Sequence, residues 1–228
     1  EQLAERAAEL GLPAAALLDR NGVYGAQRFS VACREHGVRP IIGSDLTMED
    51  GTILPVLVEN RSGYENLCSL LTQAHLRSEK GSCAVRWEEL SEFSPGLIAL
   101  LGSACVSRAG CGVSPQRTFL KAQGAGRRGR FRESSRRRNA FASTQDACAT
   151  QAETRAQNLL DAFGRDRVYV ELQRHLVRGE ERVNCRLIDL AEHHRLPLLA
   201  TNGVQHATSL GREVLDVFTC IREHTHLD

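Results

Sequence analysis

Ala14-Ala15-Ala16-Leu17-Leu18-Asp19-Arg20-Asn21-Gly22, then Tyr24 to His36, then Val38-Arg39-Pro40-Ile41-Ile42, is the stretch on which the fold turns. Ala14 to Leu18 is a short apolar run suited to a buried strand. Asp19 to Gly22 is a polar turn. Tyr24 to His36 has helical spacing, with Phe29, Val31, Ala32 and Cys33 expected inward and Gly37 as the C-terminal stop. Val38 to Ile42 is a second buried strand. Strand, helix, strand at this spacing predicts a parallel βα unit.

The same alternation extends in both directions. Leu3 to Leu10 reads as a helix stopped by Gly11 and Pro13. Leu46-Thr47-Met48 and Ile53 to Val58 flank the turn Glu49-Asp50-Gly51, a hairpin pattern. Ser62 is placed to cap a helix to Arg77, with Leu67, Leu70, Leu71 and Ala74 inward. Gly96 to Leu101 is a strand. Helix Ala152 to Phe163, strand Val168 to Leu172, helix Glu180 to His194, strand Leu196 to Ala200 and helix Leu210 to Arg222 follow. The class is α/β, with a parallel sheet or barrel. The 228 residues approach the ~250 of a βα barrel.

Val106 to Thr150 breaks the pattern, with neither a helical nor a strand period. Arg108 to Arg138 holds ten Lys/Arg and one acid, Glu133. The chain has 29 basic and 28 acidic residues, so the rest carries 19 and 27, a net of −8. Three readings fit residues 106–150. They form a basic nucleic-acid-binding module, a disordered insertion, or text from a local reading-frame shift in a GC-rich gene. The expectation is an anomalous low-complexity segment, frame-shifted or disordered, outside the native core.

Apolar residues at 42% and charged residues at 25% exclude a disordered or collagenous chain. No apolar run nears the ~20 residues of a membrane span, and no signal peptide opens the chain, so a cytoplasmic protein without membrane contact is expected. Eight scattered cysteines without a C-x-x-C pair predict buried free thiols. The absence of an initiator Met and a start within a helix suggest a fragment.

Specific strings carry a family resemblance. Asp19-Arg20-Asn21-Gly22-Val23-Tyr24-Gly25 resembles the Asp-His-(Asp/Asn)-Gly-(Val/Leu)-Tyr-Gly segment of PHP (polymerase and histidinol phosphatase) domains, which open bacterial C-family DNA polymerase III alpha subunits. Arg39-Pro40-Ile41-Ile42-Gly43-Ser44-Asp45, Asn60 to Cys68 and Tyr169-Val170-Glu171-Leu172-Gln173-Arg174-His175 are similar to further motifs of that family, in the right order. Pro197 to Val204 with Asp216 to Arg222 is most like the error-prone, damage-associated branch. The resemblance implies a distorted TIM-like (β/α)7 barrel of the PHP type. Residues 1–228 would then be a single PHP domain fragment lacking its N-terminal His-x-His strand, with the polymerase domains absent. The parent would be a DNA-directed DNA polymerase using Mg²⁺, partnered by the rest of its chain, DNA and deoxynucleotides.

Catalytic members of that family hold divalent ions with His and carboxylate ligands at strand ends, where the metals activate water against a phosphate ester. Resemblance makes Asp19, Asp45 and His175 the remaining, vestigial metal ligands. Arg20 stands for a His, and a guanidinium cannot ligate a metal. Asp45 stands for a longer Glu. Ser103 stands for a Cys, and Gly203 and Gln205 for the closing Asp-x-His. His206 falls one residue late, on the other face of a strand. No metal, no catalytic residue and a structural role are therefore expected. The alternative is an active metal-dependent phosphoesterase or 3′–5′ exonuclease. His193-His194 reads as a cationic pair at a helix C-terminus, and His224-x-His226 as a surface pair.

Overall fold

The computed structural model describes residues 1–79, 81–102, 151–176, 180–224 and 226. Strands β1 (Ala14–Arg20) and β2 (Arg39–Thr47) run parallel, with Ala14 opposite Arg39 and Arg20 opposite Asp45. Helix α2 (Ala26–Glu35) joins them and packs beside α1 (Gln2–Glu9). Ala4, Ala7, Phe29, Ala32, Cys33 and Val38 form a small core there. Val31, expected inward, is exposed. At 3.6 residues per turn, Phe29, Ala32 and Cys33 share one face and residue 31 falls outside it.

Two segments that read as separate, Val38–Ile42 and Leu46–Met48, are bridged by one strand, β2. Gly43 permits this, since a Cβ there would collide with the Val56 carbonyl on the neighbouring strand. Ser44 is fully buried yet satisfied. Its hydroxyl donates to the Asp19 carbonyl at 3.0 Å and accepts from the Gly22 N–H at 3.2 Å. A polar Gly-Ser-Asp run thus continues a buried strand because tertiary partners absorb its polarity.

β2 turns back into β3 (Ile53–Val58), as the hairpin pattern predicts, with Gly51 at φ 76°. β3 pairs antiparallel with β4 (Leu97–Leu101), and β4, β5 (Val168–Gln173) and β6 (Leu198–Thr201) are parallel. The strand order is β1-β2-β3-β4-β5-β6 in one six-stranded sheet. The expected α/β architecture is present as a curled half-barrel sheet with helices.

Helix α3 (Arg61–Arg77) is capped by Asn60, whose side chain accepts from the Gly63 N–H at 3.0 Å, rather than by Ser62. A 3₁₀ turn (Trp87–Glu89) and α4 (Leu90–Phe93) lead into β4. Residues 151–163 form α5, followed by α6 (Glu180–His194) and α7 (Ser209–Glu223). The main core gathers Leu46, Leu54 and Val56 from the hairpin, Leu67 and Leu70 from α3, and Leu159 and Leu187 from α5 and α6. Each such side chain contributes roughly 1.5–3 kcal/mol on burial.

Ser103 and the basic segment 106–150 lie outside the described residues. Cys33 and Cys83 are buried free thiols, and burial pushes both above the ordinary thiol range. Cys68 and Cys220 are half-buried and free. Cys185 is exposed, against expectation, because it lies beside the face of α6 that buries Val183, Asn184 and Leu187. No helix among the described residues is long and apolar enough to cross a membrane.

Candidate functional site

The C-terminal ends of β1, β2, β5 and β6 bring polar residues onto a sheet that is otherwise apolar. Glu171 is the centre of this group. It is buried in the run Val168-Tyr169-Val170-Glu171-Leu172. The Thr201 hydroxyl donates to its Oε1, and the Gln173 amide donates to the same oxygen at 3.1 Å. Gly102 lies against its carboxylate, so a side chain there would have to displace the Glu171 side chain. The β5–β6 register places Gln173 beside Thr201 and so assembles the cluster. Gly102, Glu171, Gln173 and Thr201 were not among the residues singled out from sequence. A carboxylate inside an apolar strand was the available signal, since a buried charge must find partners.

Asp45 ends the polar run of β2. Burial, and secondly the negative charge of Glu171, push its carboxyl up to about 6, while Arg20 acts in the opposite direction. β2 and β5 are separated in the sheet by β3 and β4. The charge of Glu171 reaches Asp45 because the sheet curls. Arg20 is paired with Asp45 in the β1–β2 register.

Asp19 turns its Oδ2 to the backbone N–H of Gly25, at 2.7 Å. Gly25 is the residue before α2, so the carboxylate lies at the positive end of that helix. Asn21 adopts the left-handed conformation at φ 50°. Its side chain clasps Thr47 twice, accepting from the N–H at 2.7 Å and donating to Oγ1 at 3.0 Å. These contacts make the Asp-Arg-Asn-Gly turn a lock between β1 and β2.

His175 is exposed beyond the end of β5. Its ring is hydrogen-bonded to Gln173 Oε1 at 3.2 Å, and its backbone N–H donates to Glu180 at 2.7 Å. A side chain at Gly203 would point at the Gln173 amide, 3.7 Å away, with ordinary room. Position 203 therefore faces the cluster but supplies no donor. Gln205 is exposed, and His206 packs against Gly211 of α7.

Asp19, Asp45 and His175 are thus not brought together as one ligand set. Among the described residues, the His/carboxylate group whose ligand atoms lie within 4.8 Å of one another is Glu153, His193 and His194, on α5 and α6. The strand-end residues present do not fit a cluster of divalent ions. Glu171 is occupied by two protein donors, Asp19 by a backbone donor, and Arg20 brings a cation where a metal ligand is implied. A separate groove, lined by Arg39, Ile41, Leu57, Asn60, Tyr64 and Ile98, contains none of these residues.

A curled α/β sheet with acidic residues at its strand ends, held by protein partners, defines a barrel-type α/β domain. Residues 1–175 match the PHP domain family, and the chain belongs to that family. An error-prone DNA polymerase of Symbiobacterium thermophilum is 34% identical over 228 residues, covering all of this chain and 19% of that protein. An error-prone DNA polymerase of Pseudomonas fluorescens is 42% identical over 99 residues, 43% of this chain and 10% of that one. The DNA polymerase III alpha subunit of Caulobacter vibrioides is 31% identical over 235 residues, 98% of this chain and 18% of that protein. The chain therefore spans about a fifth or less of the length of these relatives.

Proposed function

We propose that this chain is the PHP domain of an error-prone C-family DNA polymerase alpha subunit and that its role there is structural. The observation that carries this reading is the state of the strand-end acids, which hold the fold together through protein partners. A site that has lost His to Arg20 and Asp to Gly203 offers water no activated position. Nucleotidyl transfer would belong to Mg²⁺-binding carboxylates outside this chain, with DNA and deoxynucleotides as their partners in the cytoplasm.

A second observation supports the scaffold role. Leu210, Val214, Val217, Phe218 and Ile221 are all exposed along α7. Their spacing forms one apolar stripe, as on a helix that packs against further protein. Relatives about five times as long supply a source for that protein.

The test uses a polymerase chain carrying this domain, with Mn²⁺ or Zn²⁺ added. Bound metal would be measured beside hydrolysis of a model phosphodiester and of a primer 3′ end. The expected result is primer extension with Mg²⁺ and no hydrolysis attributable to this domain. Two or more metals held at the strand ends, with hydrolysis abolished by His175→Ala, would replace the scaffold with a phosphoesterase or 3′–5′ exonuclease.

A further inference from the structure

We propose that Glu153, His193 and His194 form a divalent-metal site of the zinc type, distinct from the strand-end cluster and independent of the polymerase reading. The three residues converge from α5 and α6. His194 Nε2 lies 2.7 Å from Glu153 Oε1, and His193 Nε2 lies 3.8 Å from the same oxygen. The two rings meet edge to face, with centroids 4.9 Å apart and planes at 88°. That arrangement directs two imidazole nitrogens toward one carboxylate although the histidines are sequence neighbours.

Two imidazoles and a carboxylate are the donor set of zinc and its borderline neighbours, whereas Mg²⁺ and Ca²⁺ prefer oxygen alone. Bonds of about 2.0–2.2 Å to a tetrahedral ion place ligand atoms roughly 3.3 Å apart. The ligand atoms here lie within 4.8 Å of one another, so closure of up to about 1.5 Å is needed. The side chains have the freedom to supply it. His193 is 73% and Glu153 49% exposed, while His194, at 11%, is the fixed member.

The end of α6 favours a cation, since its last carbonyls carry partial negative charge. Arg165 already donates to the His194 carbonyl. It engages the backbone and leaves the imidazole with Glu153. A bound ion would tie the end of α6 to α5, with the remaining coordination positions filled by water. The ion would join two helices and leave the strand-end acids untouched.

The competing description is a plain ion pair, which requires a protonated imidazole and holds no metal. The experiment separates the two on the 228-residue chain. Zn²⁺ alone would be titrated calorimetrically, and Co²⁺ alone followed by its visible absorption. One ion per chain is expected, with the Co²⁺ band of a nitrogen- and oxygen-ligated site. His193→Ala and Glu153→Gln should each weaken Zn²⁺ by about tenfold or more. Because His193 is so exposed, its loss should leave the circular dichroism spectrum unchanged. His175→Ala and the pair His224→Ala with His226→Ala should leave the affinity as it was. Absence of saturable Zn²⁺ binding, or binding insensitive to His193→Ala and Glu153→Gln, overturns the proposal.

Discussion

The strand-end cluster and the α5–α6 cluster contain the same kinds of side chain in opposite states. Around Glu171, each acid has a protein donor or a neighbouring cation, and the backbone approaches closely at Gly43 and Gly102. Around Glu153, two imidazoles share one carboxylate at the surface. The first has become part of the folding core. The second joins two helices through one carboxylate, with Glu153 and His193 largely open to solvent. Residue type alone does not separate a metal site from a structural network. The partners already engaged do.

If that contrast is right, disturbing the strand-end region should cost far more stability than disturbing the helical pair. Gly43→Ala should have the largest effect. Its Cβ meets the Val56 carbonyl, a backbone atom with no easy retreat. A loss of about 3 kcal/mol is expected in urea unfolding. A change below about 0.5 kcal/mol, the usual range for surface substitutions, would mean that β2 and β3 are less closely paired than described.

Thr201→Val removes a hydroxyl donor from buried Glu171 while keeping the shape. A loss of about 1–3 kcal/mol is expected. Thr201→Ser, which restores the donor, should recover a large part of it. Equal losses in both variants would assign the effect to packing.

Asp45 gives a pH-dependent version of the same test. Its folded value of about 6 lies above the ordinary ~3.9 of an aspartate. Between these two values the native chain holds the proton more tightly than the unfolded chain. The contribution of this group is therefore present at acid pH and is lost as pH rises through about 6. Asp45→Asn should stabilise the domain at pH 7.5 by about 1–2 kcal/mol after allowance for solvent screening. That gain should shrink steadily toward pH 4, near the unfolded value. Arg20→Gln removes the opposing cation and should move the Asp45 titration, followed by carboxyl NMR, further upward. An unmoved titration would mean that Arg20 points away.

The smallest effect is expected at the helical cluster. Glu153→Gln without metal should cost about 0–1 kcal/mol, as for an exposed ion pair. A loss matching that of Thr201→Val would erase the difference between the two regions.

Much of this contrast was hidden in the sequence. Strand and helix order followed from apolar period, and α6 (Glu180–His194) has the bounds that its periodicity predicts. The Gly43-Ser44-Asp45 run hid the continuity of β2, because its polarity is answered by Asp19, Gly22 and the β3 backbone rather than by local neighbours. Motif resemblance pointed to Asp19, Asp45 and His175. It could not show that Asp19 serves the start of α2 or that His175 is exposed. His193-His194 was legible as a pair at a helix end, but Glu153 lies 40 residues before His193, with no local pattern linking them.

The sequence by itself determined the α/β class, the order of the elements and the family motifs. These are properties of residue identity and of periods set by single helices and strands. Only the tertiary structure decided which acids meet which donors, that the charge of Glu171 acts on Asp45 across two intervening strands, and that the helical histidines reach Glu153. Hydrogen bonds and charge interactions act over a few ångströms of space, and only the curl of the sheet and the packing of the helices bring distant positions of the chain within that range.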